Sequence, residues 1–123
     1  MRLKNSDIIK IYETLINIYN QKDMKFSAKT AFSLIRNINL LQPYYINIME
    51  VREDLIRSNG SELVDGTYQI PQDSIDFINQ ELQDLLDIEC EIALNKINFE
   101  DFPQLQLTLN EWDSLEKILT IED

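Results

Sequence analysis

Apolar residues recur at three- and four-residue spacing from the start of the chain. Ile8, Ile11, Tyr12, Leu15 and Tyr19 predict one face of a helix over residues 6–20, and Asn5-Ser6-Asp7 supplies capping acceptors. Gln21-Lys22-Asp23 interrupts the stripe, which resumes after a second cap at Ser27 with Ala31, Leu34, Ile35, Ile38 and Leu41. Pro43 has no N–H for a helical bond, yet the stripe continues in phase through Tyr44, Tyr45, Ile48, Val51, Leu55 and Ile56. That continuity predicts one long helix kinked at Pro43, or two nearly collinear ones with Pro43 in the first turn of the second. Asn59-Gly60 is the expected stop, with Gly60 in the left-handed conformation.

Asp65-Gly66 sits between short alternating runs, which is a hairpin signal or an extended loop. Beyond Pro71, with Asp73 or Ser74 as cap, Ile75, Ile78, Leu82 and Leu85 predict a third helix ending near Leu86. The period then drops to two. Ile88, Cys90, Ile92 and Leu94 fall on one side of a strand over 88–94, with Glu89 and Glu91 on the other. Met1 to Lys4 alternate in the same way, and pairing these two segments would set Arg2 and Lys4 against two glutamates. FEDFPQ reads as a turn and Leu105 and Leu107 as a short strand. Thr108 to Glu111 form a capping box for a last helix that buries Leu109, Trp112, Leu115 and Leu119. The expected fold is a single α+β domain over residues 1–123, mostly helical. It has a long central helix, with or without a kink at Pro43, and a small two- to three-stranded sheet.

Charge changes the picture along the chain. Eleven basic and 22 acidic residues leave −11 overall, but residues 1–48 carry seven basic and three acidic side chains (+4), and residues 49–123 carry four and nineteen (−15). The acidic part repels nucleic acid and anionic membrane and favours basic protein surfaces. The single cysteine forms no internal disulfide, and the amino-terminal stretch lacks an apolar signal region. No run approaches the length of a membrane span, so a cytoplasmic protein is expected.

Little here resembles catalytic chemistry. With no histidine and two glycines outside any phosphate-binding spacing, imidazole-based triads, P-loops and dinucleotide fingerprints are all excluded. Carboxylates are numerous enough for close pairs to arise by chance, so Asp73, Asp76 and Glu81 read as caps and surface charge. Cys90 lacks the companion ligands of a soft-metal site and the neighbouring cation of a reactive thiolate, and reads as a small buried hydrophobe. No catalytic, cofactor or metal site is assigned. The aromatics of the basic part sit mostly at core spacing, which argues against direct nucleic-acid binding. Tyr44 and Tyr45 are adjacent and cannot share one helix face, so one is expected at the surface or an interface. Residues 49–58, MEVREDLIRS, read as a solvated face with local ion pairs.

Leu3-Lys4-Asn5 with Ile8, then Lys25, Ala28, Ala31 and Ile35-Arg36-Asn37, begin a longer pattern. It continues through Arg52-x-x-Leu55-Ile56, Asp65-Gly66-x-Tyr68, Phe77-x-x-x-Glu81-Leu82-x-x-Leu85 and Glu89-x-Glu91-Ile92-x-x-x-Lys96-Ile97. The whole resembles small acidic proteins of tailed phages and prophages of low-GC bacteria, which generally carry no assigned function. The resemblance implies a protein that binds a protein. One expectation is an inhibitor of a host or defence protein, presenting acid to a basic, nucleic-acid-binding surface. The other is a virion or assembly component that packs on phage structural proteins or on copies of itself. The acidic contact face expected from the sequence comprises Asp84, Asp87, Glu89, Glu91, Glu100, Asp101, Glu111, Asp113 and Glu116, and the aromatic contact is Tyr44 or Tyr45.

Overall fold

The described residues of this computed structural model are 1–21, 26–98, 109–116 and 119–120. Strand β1 (Arg2–Lys4) runs directly into helix α1 (Asn5–Tyr19), and α2 (Ala28–Asn59) follows. A hairpin of β2 (Ser61–Glu62) and β3 (Tyr68–Gln69) leads through a single 3-10 turn, Gln72–Ser74, into α3 (Ile75–Asp87). Then come β4 (Glu89–Glu91), β5 (Ile97–Asn98), α4 (Leu109–Leu115) and β6 (Leu119–Thr120). The class is α+β and mostly helical, as expected, but among the described residues the strands form three separate two-stranded ladders instead of one sheet.

Helix α1 begins where the Lys4 N–H donates to Asp7 Oδ2 at 3.1 Å. Its buried face runs through Ile8, Ile11, Leu15 and Ile18, while Tyr19 is exposed, contrary to expectation. Both residues continue the three-four spacing from Leu15, but Ile18 is the one that joins the core cluster with residues of α2 and α4. Ser27 caps α2 as expected, its Oγ accepting from the Thr30 N–H at 3.2 Å. Pro43 then lies inside one uninterrupted helix of 32 residues. Asn39 and Pro43 are both exposed, so water can supply the donor that proline denies the Asn39 carbonyl. Leu34, Ile38, Leu41 and Ile48 face the core, whereas Ile35 and Val51 are exposed, unlike the predicted stripe.

Gly60 is not left-handed; its φ is −120° and its ψ 169°. Close approach explains the glycine instead, since a Cβ there would lie 2.9 Å from the Ile56 carbonyl oxygen and 3.2 Å from that of Gln69. The Asp65-Gly66 hairpin forms with Ser61 opposite Gln69 and Glu62 opposite Tyr68, and Gly66 takes a φ of +86°. Asp65 Oδ1 accepts from the Thr67 N–H at 3.1 Å and its hydroxyl at 2.6 Å, which holds that carboxyl below its usual pKa. Helix α3 opens without a side-chain cap from Ser74, because the preceding 3-10 turn makes the first bonds.

The β1–β4 ladder forms, setting the two cations against the two glutamates as expected; it is antiparallel, with Arg2 opposite Glu91, Leu3 opposite Cys90 and Lys4 opposite Glu89. The strand is shorter than residues 88–94. Ile88 closes α3 through its N–H to the Leu85 carbonyl and is 51% exposed, so it does not turn inward with Ile92. Cys90 is half-buried, and its thiol donates to Asn5 Oδ1 at 3.8 Å.

The FEDFPQ turn, the strand at Leu105 and Leu107, Glu100, Asp101, the Thr108 cap and the side chain of Trp112 fall outside the described residues. In α4 Leu115 is fully buried but Leu109 is exposed. Leu119 belongs to β6, parallel to β5, and not to the helix. The core joins Leu3 of β1, the inner faces of α1 and α2, Ile92, Ile97 and Leu115 in one cluster. Two buried asparagines tie sequence-distant backbone to it. Asn37 donates to the Asn95 carbonyl at 3.0 Å and accepts from the Asn95 N–H at 2.7 Å, and Asn5 donates to the Leu85 carbonyl at 2.8 Å. Among the described residues no helix is long and apolar enough to cross a membrane.

Candidate functional site

The described carboxylates of the expected face lie in three places, the third of which also holds Asp76 and Glu81. Beside the first ladder, Glu91 is 2.6 Å from the amino-terminal ammonium, Glu89 pairs with Arg2, and Asp87 lies 3.9 Å from Lys4 Nζ. Their charge is largely answered within the molecule. A second group, Glu111, Asp113 and Glu116, sits on α4, with Asp113 and Glu116 exposed and Glu111 half-buried. Glu111 and Asp113 border a polar cleft of about 420 Å³ together with Lys10, Glu13, Thr14 and Asn17 of α1, and the Thr14 and Ser114 hydroxyls bridge it at 3.1 Å.

The third group is on the outward face of α3. At about 100° per residue, Phe77, Glu81, Asp84 and Ile88 fall on one narrow strip, with Asp76 and Gln80 beside it. Phe77 is 54% exposed. Asp76, Glu81 and Asp84 have no ion pair among the described residues, and Asp84 only accepts from Gln80 Nε2 at 2.9 Å. An apolar residue at each end and unpaired carboxylates between them make a surface that fits a basic partner with apolar recesses. Sequence reasoning took Asp84 and Asp87 from this region but assigned no contact to Phe77 and Ile88. The available signal was phase, because Phe77 lies off the stripe of Ile75, Ile78, Leu82 and Leu85.

The inner side of α3 meets α1 and α2 at an apolar groove of about 370 Å³, floored by Ile9, Ile48, Met49, Leu82 and Leu85 and rimmed by Lys10, Glu13 and Arg52. Lys10 and Glu13 border both this groove and the α4 cleft, so the ridge of α1 separates the α3 acids from those of α4.

The tyrosine pair divides as expected. Tyr45 packs on Tyr12 with ring centroids 4.4 Å apart and donates to Glu13 Oε1 at 3.2 Å; burial, then the Glu13 carboxylate, raise its pKa. Tyr44 is exposed and remains the aromatic contact candidate. The solvated-face reading of residues 49–58 also holds, with Arg57 paired to Glu53 at 3.0 Å and to Asp54 at 3.5 Å. Phe26 is half-buried, whereas Tyr19 and Phe32 are exposed, so the aromatics of the basic part are less uniformly core residues than their spacing predicted. Among the described residues no three of Cys, Asp and Glu converge where they could hold a metal ion. The chain matches no family model, no curated protein and no solved structure.

Proposed function

We propose that this is a non-enzymatic protein-binding protein that docks a basic partner surface on the outward face of α3. The observation that carries the reading is the strip Phe77-Glu81-Asp84-Ile88, exposed at both apolar ends and with no ion pair among the described residues. Unpaired carboxylates keep their full field for steering, whereas Glu89 and Glu91 spend theirs on β1. In the phage setting implied by the sequence resemblance, the partner is a nucleic-acid-binding host or defence protein, and the acidic strip occupies the place of the nucleic acid. The test immobilises the wild-type chain beside the variant Asp76→Lys/Glu81→Lys/Asp84→Lys and the variant Phe77→Ala in extract of the host. A specific partner should elute from wild type steeply with salt and fail to bind the triple variant. Equal retention on wild type and triple variant would defeat the reading. The apolar outer side of α2 favours a second reading, an assembly component that packs through that helix.

A further inference from the structure

Helix α2 carries an apolar stripe on the side opposite the core. Phe32 is 63% exposed, Ile35 40% and Ile46 45%, and Asn39 and Pro43 continue the same line. The spacing Phe32, Ile35, Asn39, Ile46 follows positions a, d, a, a of consecutive heptads over about 21 Å of helix. From this stripe we infer that a second copy of the chain packs on it, antiparallel, to form a two-fold dimer. Charge selects both the occupant and its direction. The first half of α2, residues 28–43, carries Lys29 and Arg36 and no acid. The outer side of the second half carries Glu50, Glu53 and Asp54 with one cation, Arg57. Lys29, Arg36 and Glu50 have no ion pair among the described residues. A two-fold antiparallel pair sets the basic half of each copy beside the acidic half of the other, whereas a parallel pair sets like against like. Asn39 near the middle of the stripe gives a polar contact that favours one register, as a single core asparagine does in coiled coils. One helix pair of this length falls short of the roughly 800 Å² per partner of a standard interface, so the dimer depends on concentration.

The inference deepens the second, assembly reading and makes no use of the α3 strip. Sedimentation equilibrium of the full chain at low salt, from about 10 µM to about 0.5 mM, should show a dimer population that rises with concentration. Ile46→Glu, a surface change checked for folding by circular dichroism, should weaken association about ten-fold or more. Lys29→Glu/Arg36→Glu and Glu50→Arg/Glu53→Arg should each weaken it, and the two exchanges combined should restore it, because the halves then carry reversed but still opposite charge. A monomer throughout, or a dimer indifferent to Ile46→Glu, overturns the proposal. Exchanges of one half that weaken without rescue by the combination overturn its antiparallel direction. The triple α3 variant should dimerise like wild type, so either reading can fail alone.

Discussion

Replacing Asn37 by alanine removes a side chain that hydrogen-bonds the middle of α2 to the chain between β4 and β5. Asn37 is completely buried and bonds both the carbonyl and the N–H of Asn95, 58 positions away. Each such bond contributes about 1 kcal/mol net, and a buried partner left unpaired costs about 1–3 kcal/mol. Asn95 is half-buried, so water recovers part of the loss, and the sum is about 2 kcal/mol of a domain stability of about 5–15 kcal/mol. With a urea slope of about 1.5 kcal/mol per molar, the unfolding midpoint of Asn37→Ala should fall by about 1.3 M in melts followed by circular dichroism. Asn37→Asp provides a second reading of the same clamp. Its buried carboxyl has a raised pKa and can donate to the Asn95 carbonyl only when protonated. Its stability should therefore be greatest below the ordinary carboxylate range and decline as pH rises through the raised value. An alanine variant whose midpoint moves by less than about 0.3 M would refute the claim that this clamp holds the segment.

Reversing Arg2 and Lys4 to glutamate should destabilise the chain by about 1 kcal/mol, since exposed pairs contribute about 0.2–1 kcal/mol each, and about 1 M salt should erase most of the difference in thermal melts. Gly60→Ala and Gly66→Ala should each lower stability by about 1 kcal/mol or more, for different reasons: the first meets the Ile56 carbonyl and the second is strained at φ +86°. A neutral Gly60→Ala would show that the chain there shifts freely. The lowered pKa of Asp65 means its turn is stabilised above the ordinary value of 3.8 and loses that contribution as pH falls through the lowered one. In an NMR titration the Thr67 amide should follow a midpoint below 3.8, and a midpoint at or above it would remove the turn from the account.

Local signals in the sequence determined much of this protein. Ser27, the three-four stripes, Asp65-Gly66 and the alternation at both Met1–Lys4 and Glu89–Glu91 each express a backbone preference within a few residues. The β1–β4 pairing was legible as well, because matching alternation sets the two cations against the two glutamates, but its antiparallel direction was not, since either direction makes those pairs. Tertiary structure decided what local pattern leaves degenerate. Ile18 and Tyr19 satisfy the same spacing, and only the neighbouring helices choose between them. Gly60 is required by the close approach of the Ile56 and Gln69 carbonyls and not by its own torsion angles. Asn5 read as a cap and Asn37 as one of several residues in a likeness, yet both are interior ties to backbone more than fifty residues distant, a separation that no periodicity encodes. The candidate site divided for the same reason. Nineteen acids in the second part of the chain were countable in sequence. Which of them stand unpaired on α3, and which are answered by Arg2, Lys4 and the amino terminus, depends on what the fold brings within a few ångströms.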